Sequence, residues 1–185
     1  MRVSNERKAE TRERILASAG ELFRSHGIDA VGLDAIMHHA GLTHGGFYAH
    51  FASKEALVAE VSAAALARAA VRWDRISQEA PPAEALARIV DGYLDPVHVA
   101  AAGSGCVLAT LGPEVARRPD ARPAITASIR RMVDALARCL PGRRRQRALE
   151  ALSAMVGAVV LARLADDPVL AQEFLTAARK AAGVR

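Results

Sequence analysis

Apolar residues recur at helical spacing through almost the whole chain, beginning with a long N-terminal stripe. This stripe predicts a helix from near Glu6 to His26. Gly27 follows directly and is typical of a helix stop. The members of the stripe are Ile15, Leu16, Ala19, Leu22 and Phe23.

The next stretch predicts two short helices joined at a glycine, followed by a long helix. The residues Leu33, Ile36, Met37 and Ala40 share the spacing of a short amphipathic helix. Gly41 permits a tight left-handed turn after it. Thr43 is expected to cap a second short helix from about His44 to His50, and Ser53 to cap a longer one reaching about Ile76. Helix, glycine turn and capped short helix form the outline of a helix-turn-helix.

The rest of the chain is also predicted to be helical. A helix is expected from Ala83 to about Ala101 with a kink at Pro96, and another after Ser104 that includes Cys106. Further helices are predicted near 125–140, 143–165 and after Pro168. The 143–165 helix is apolar on nearly every side, which indicates cover from more than one direction. The fold class is therefore all-α, with about nine helices.

Composition and charge narrow the function classes. The 185 residues are 51% hydrophobic but only 4% aromatic, which favours closely packed helices. Two cysteines do not make a disulfide framework, and the polar N-terminus is unlike a signal peptide, so a cytoplasmic protein is expected. The net charge is +5, yet basic and acidic residues balance over residues 1–56. The N-terminal arginines are interleaved with glutamates, so both a DNA-following arm and a solvated tail remain open.

The second short helix has little bulk on one side. His44, Gly45, Gly46 and Ala49 would let its backbone approach a large partner, and the DNA major groove fits. Lys54 lies in the first turn of the next helix, where the helix dipole disfavours a cation. A phosphate shared between its ammonium and the free N–H groups would explain that position.

These residues resemble the DNA-binding motif of the TetR family of bacterial transcriptional regulators. The resemblance lies in the small-residue helix, the Phe47-Tyr48 and His50-Phe51 pairs, and residues 53–57. Gly32 departs from it, because the family usually has Ser or Thr there. The resemblance implies a three-helix DNA-binding head over residues 1–52 and a helical effector-binding and dimerisation domain over 53–185.

The same resemblance assigns roles to residues. The predicted DNA-contacting residues are Thr43, His44, Gly45, Gly46, Tyr48, His50 and Lys54. A homodimer is expected through residues 143–183, with Ala158 in the interface, on a near-palindromic operator. The predicted lining of a cavity for a small-molecule effector comprises Trp73, Tyr93, His98 and Cys106. For Cys106, a thiol sensor in the first turn of a helix capped by Ser104 and a small buried core residue both remain open.

Other chemistry has little support in the sequence. His38, His39, His44 and His50 lack the spacing of a zinc site, and no apolar run is long enough to span a bilayer. No nucleophile elbow, phosphate loop or nucleotide-binding glycine turn is present, so neither an enzyme nor a cofactor is expected. The leading hypothesis is an effector-released repressor. A DNA-binding protein without an effector and an all-helical enzyme are the alternatives.

Overall fold

The computed structural model describes the backbone of residues 2–101, 103 and 105–184, and the side chains from Asn5 onward within these ranges. Over them the chain is all-α, as predicted, with no strand and nine α-helices. The 3-10 helices His44–Ala49 and Pro119–Ala121 lie between them. The α-helices are α1 Arg2–His26, α2 Leu33–His39, α3 Lys54–Glu79, α4 Pro82–Tyr93, α5 Pro96–Ala100, α6 Val107–Ala116, α7 Arg122–Cys139, α8 Arg144–Leu164 and α9 Pro168–Ala181.

Glycines end the first two helices, as predicted. Gly27 follows α1 with φ +84°, and Gly41 follows α2 with φ +66°. Both values lie in the left-handed region, where a Cβ atom is strained and glycine is not. The Gly41 turn returns the chain through a bond from the Leu42 N–H to the Met37 carbonyl, at 2.8 Å. This turn sets the angle between α2 and the 3-10 helix His44–Ala49.

The head is a small apolar core built from α1, α2 and the 3-10 helix. Ile15 and Phe23 of α1, Ile36 of α2 and Phe47 of the 3-10 helix are fully buried. Two N-terminal arginines fold onto this core rather than extending from it. Arg12 pairs with Glu60 of α3, and Arg14 donates to the Ala40 carbonyl. These two side chains therefore bind the head together instead of forming part of an extended arm.

The long helix α3 joins the head to the rest of the protein. Its first half buries Leu57 and Val61 beside α1, and its second half packs along α7. Asp74 of α3 accepts bonds from Arg131 and Arg138 of α7, at 2.7 and 2.5 Å. Burial would raise the pKa of Asp74, but these two bonds outweigh it and lower that pKa. One helix thus belongs to both parts of the molecule.

The predicted kink at Pro96 is wrong, because α4 and α5 are separate helices. Helix α4 ends at Tyr93, and Pro96 occupies the first turn of α5. Asp95 accepts a bond from the Val97 N–H at 2.8 Å, which caps α5. Proline suits a first turn because its missing N–H has no partner to lose there.

The predicted setting of Cys106 also needs correction. Helix α6 begins at Val107, so Cys106 occupies the N-cap position and not the first turn. Ser104, its expected cap, lies outside the described residues. The side chain of Cys106 is half-buried.

Helix α8 buries one face within its own chain. Ala158 was expected in a dimer interface, but it is only 5% exposed in the monomer. Helices α7 and α9 pack against α8, as do α5 and α6. The uncovered apolar residues of α8 and α9 are Leu149, Leu161, Leu164, Val169 and Leu170. Ala158 is therefore largely covered within its own chain, and the exposed large apolar side chains of α8 are at other positions.

Candidate nucleic-acid interface and adjoining cavity

The 3-10 helix His44–Ala49 projects small and polar residues from the head. Gly45 has no atom within 4 Å of where a Cβ would stand, whereas Gly46 faces the Met37 side chain at 3.7 Å. Tyr48 is 64% exposed although it packs edge-on against the buried Phe47 ring, at 5.3 Å between centroids. The surface therefore combines a nearly flat backbone with one projecting phenol.

Thr43 precedes this helix, but the prediction that its hydroxyl caps it is wrong. The hydroxyl makes no cap hydrogen bond. Instead the Thr43 main-chain carbonyl accepts from the Gly46 N–H at 3.1 Å, which is the 3-10 pattern. The Gly32 position before α2 likewise has no side-chain cap. The Thr43 hydroxyl is exposed and available to an external acceptor or donor.

The two histidines of this segment lie in different surroundings. His44 is exposed, and its Nδ1 lies 2.5 Å from a carboxylate oxygen of Asp34 on α2. His50 is half-buried, and its Nδ1 has no hydrogen-bond partner among the described residues. Burial lowers the pKa of His50, and the nearby charges of Lys8 and Arg12 lower it further. His44 thus belongs to the outer surface, whereas His50 lies at the junction with the core.

The start of α3 offers a second polar group beside the 3-10 helix. Ser53 caps α3 as predicted, with its Oγ accepting from the Ala56 N–H at 3.1 Å. Lys54 follows in the first turn and has no acidic partner among the described residues. A free ammonium beside unpaired helix N–H groups is a favourable place for an anion such as a phosphate.

A cavity of about 300 Å³ lies between α1, α3 and the segments around α5 and α6. It is lined by all four residues that the sequence suggested for a ligand site: Trp73, Tyr93, His98 and Cys106. Trp73 and Tyr93 meet edge to face at 5.7 Å, and the His98 ring lies 4.9 Å from Tyr93. His98 Nδ1 also lies 2.5 Å from the Tyr93 carbonyl. The aromatic groups thus form one continuous wall.

Sequence reasoning missed the arginines of this cavity. Arg68 and Arg72 of α3 line it, together with Arg24 of α1. The spacing of Arg68 and Arg72, four residues apart and next to Trp73, was a usable signal on one helix face. Arg24 gave none, because it is distant in the chain and arrives only through the packing of α1 on α3.

A known family accounts for the head. The sequence model described as "Bacterial regulatory proteins, tetR family" matches residues 15–61. This range contains the helix-turn-helix, its glycine turn and the start of α3.

Residues 15–61 form a DNA-binding head of the TetR-family type.

Solved structures extend the likeness in fold to the whole chain. The transcriptional regulator of the TetR family from Cytophaga hutchinsonii aligns with TM-score 0.80 at 18% identity, over 97% of this chain and 96% of its own. The TetR-family regulator from Agrobacterium tumefaciens gives 0.78 at 21%, over 92% and 96%. The reduced form of E. coli NemR gives 0.77 at 23%, over 92% and 96%. No curated protein sequence matches the chain.

The match over residues 15–61 makes this head the DNA-binding part of a transcriptional regulator. Other chemistry receives no support from the described residues. No group of three His, Cys, Asp or Glu side chains among them is arranged to hold a metal ion. Within the same ranges, no helix is long and apolar enough to cross a membrane.

Helix α6 connects the cavity to the head. Cys106 and Val107, at the start of α6, line the cavity. Near the other end, the Glu114 carboxylate accepts from the Ile28 N–H at 2.8 Å, in the loop between α1 and α2. Arg118 pairs with Asp29 of the same loop at 2.5 Å. The loop that positions the helix-turn-helix is therefore tied directly to a cavity element.

Proposed function

We propose that this chain is a homodimeric repressor that leaves a near-palindromic operator when a small molecule occupies the cavity. The observation that carries the proposal is the position of that cavity between the head and the rest of the protein. Its lining includes Arg24 of the head helix α1, residues of α3 and the start of α6. A ligand there touches the elements that orient the head, so its binding and DNA binding are linked.

On DNA, the exposed groups divide by chemistry. Thr43, Tyr48 and Lys54 bind phosphates, because a hydroxyl, a phenol and an ammonium suit backbone oxygens. His44, Gly45 and Gly46 approach base edges in the major groove. The openness around Gly45 supports this close approach. His50, at the end of the 3-10 helix, is assigned a supporting contact to the DNA.

The dimer is proposed to form through residues 143–183, on the uncovered faces of α8 and α9. Leu164 is 76% exposed and Leu149 is also exposed, although both lie on an otherwise apolar helix. Large exposed apolar side chains on neighbouring helices are typical of a contact surface. A two-fold axis there places two heads on one duplex, which requires half-sites separated by whole helical turns. Such a protein acts in the cytoplasm, where the DNA is.

The experiment selects binding sites from a random duplex library and footprints the enriched sequence. Wild type is expected to enrich a near-palindrome and protect two half-sites. Gly45→Glu is the matched variant, because a side chain there has room in the folded protein but would place bulk and a carboxylate against the groove. It should keep the thermal unfolding curve of wild type and lose the footprint.

Equal retention on scrambled and selected DNA would contradict sequence-specific regulation and favour an architectural role. A footprint that no compound binding in the cavity can remove would contradict release by an effector. Both outcomes leave the family assignment intact, because that assignment rests on the head itself.

A further inference from the structure

The cavity has an unusual excess of positive charge. Arg24, Arg68 and Arg72 all line it, and no Asp or Glu is among the described residues of its wall. The other wall residues are mainly apolar or aromatic, including Leu66, Val107 and Met132. Arg24 is half-buried, whereas Arg68 and Arg72 are exposed, so solvent screens part of the repulsion among the three guanidinium groups. An anion between them would lower it further.

These arginines are poorly compensated by the protein. Arg24 is half-buried and donates to the Gly103 carbonyl at 2.6 Å, but a carbonyl does not neutralise its charge. Burial lowers the pKa of Arg24, the neighbouring Arg68 lowers it further, and Glu21 acts in the opposite direction. Within the described residues, Arg68 and Arg72 have neither an ion pair nor a hydrogen bond. By contrast Arg75 of the same helix pairs with Glu79.

The inner wall offers a further donor. Tyr93 is only 4% exposed, and among the described residues its hydroxyl meets at most the Cys106 thiol, which is a weak hydrogen-bond partner. Burial raises the pKa of Tyr93, with the adjacent Cys106 adding to the effect, so the phenol keeps its proton. A buried hydroxyl without a strong partner is unfavourable, and a ligand oxygen would satisfy it.

We propose that this cavity binds a small organic carboxylate whose body is apolar or aromatic. Arg24, Arg68 and Arg72 hold the carboxylate, since planar guanidinium groups bind it in a bidentate way. The body lies against Trp73 and Tyr93. A volume of about 300 Å³ is at the small end of ligand sites, which suits a compact metabolite.

The inference deepens the proposed function, on which it rests for the identity of the site as an effector site. Arg24 belongs to the head helix α1. Arg68 and Arg72 belong to the half of α3 that packs along α7. An anion bound between them draws α1 towards that part of α3 and thereby changes how the head is held. DNA release then follows from occupancy by the anion and needs no covalent step.

Trp73 makes binding measurable without DNA, because it is the only tryptophan of the chain and lines the cavity. Its fluorescence is titrated with benzoate, phenylacetate and octanoate, and with the primary amide of each. At least one carboxylate is expected to give a saturable change in fluorescence. Its amide should bind at least about tenfold more weakly, because it has lost the charge that strengthens the hydrogen bonds to the arginines. Inorganic phosphate tests whether a bare anion suffices.

Two variants complete the test. The double substitution Arg68→Met with Arg72→Met should weaken carboxylate binding by about tenfold or more and leave amide binding unchanged. Arg75→Met is the control on the same helix, because Arg75 is exposed and lies outside the cavity lining. Circular dichroism verifies that both variants keep the helical content of wild type.

Equal binding of amide and carboxylate, or an unchanged affinity in the double variant, would overturn the proposal. The proposal would also be overturned if no carboxylate gave a saturable change up to about 10 mM. A dissociation constant above that concentration is weak even for a fragment-sized ligand. Phosphate binding as tight as the carboxylates would remove the apolar body from the assignment. A parallel operator-release assay separates the two proposals: carboxylate binding without release retains the site and contradicts the effector role. DNA release by neutral compounds alone would retain the effector role and contradict the carboxylate site.

Discussion

Lys54 illustrates how a single side chain can be understood from its position on a helix. It stands in the first turn of α3, where the partial positive charge of the helix opposes a cation. No described acidic residue compensates it, although its neighbour Ser53 caps the helix. An external phosphate bound by both the ammonium and the helix terminus, as proposed above, would explain this unfavourable position.

Lys54→Ala is therefore expected to weaken binding to all DNA sequences by a similar factor. Loss of one phosphate contact should lower the slope of log affinity against log salt by about 0.9. Filter binding or fluorescence anisotropy between low and moderate salt measures it. Arg130→Ala on α7 is the control, because Arg130 is an exposed cation outside both the head and the proposed dimer interface. A slope equal to that of wild type would remove Lys54 from the phosphate contacts.

Helix α6 acts as an element between two sites. Its first residues line the cavity, and Glu114 near its end accepts from the N–H of Ile28, a fully buried residue. The sequence indicated α3 as the connection between the head and the rest of the protein. The structure adds α6 as a second connection. Two connections that meet the same cavity hold the head in one orientation more firmly than α3 alone.

Glu114→Ala should remove the acceptor of the Ile28 N–H and leave that group unpaired. The expected cost is about 1–2 kcal/mol in the free energy of unfolding, measured by urea denaturation. The concentration of effector needed for DNA release should change as well, because one connection between cavity and head is lost.

Glu114→Gln is the matched variant for this experiment. It keeps an acceptor oxygen of the same reach, so its stability and its effector response should stay close to those of wild type. Equal behaviour of the Ala and Gln variants, both indistinguishable from wild type, would show that the bond to Ile28 does not contribute.

At the scale of the whole molecule, the distribution of apolar surface indicates how two copies meet. The described surface keeps several large apolar side chains on α8 and α9 uncovered, with Leu164 at 76% exposure. Ala158 is only 5% exposed within its own chain, so a charge there would disrupt the monomer and report nothing about assembly. The informative substitutions are at the exposed apolar positions.

Combining Leu149→Glu with Leu164→Glu should convert the dimer to a monomer, because carboxylates on both copies would be buried without partners. Sedimentation velocity measures the change. The variant should also lose operator affinity, since one head contacts only one half-site. Val97→Glu on α5 is the control, as Val97 is equally exposed but lies on neither α8 nor α9. A double variant that remains dimeric would place the interface elsewhere.

Much of the fold was predictable because its signals are local. Gly27 and Gly41 end helices through their own backbone freedom, Ser53 and Asp167 cap the residues that follow them, and Phe47 and Phe51 share a face through the helical repeat. The TetR-family motif over the head is a continuous stretch of sequence for the same reason. Where local rules competed, two predictions failed. At Pro96 the Asp95 side-chain cap started a separate helix, and at Thr43 the main-chain carbonyl replaced the hydroxyl as the hydrogen-bond acceptor.

The cavity and the buried faces were decided only by tertiary packing. Trp73, Tyr93, His98 and Cys106 were named from the sequence, but nothing in it brought Arg24 to Arg68 and Arg72, because those residues lie on helices far apart in the chain. The sequence of α8 is apolar on nearly every side, so its pattern does not predict which side is covered by other helices of the same chain. That choice depends on the sum of contacts with α7 and α9, which exists only once all three helices are in place.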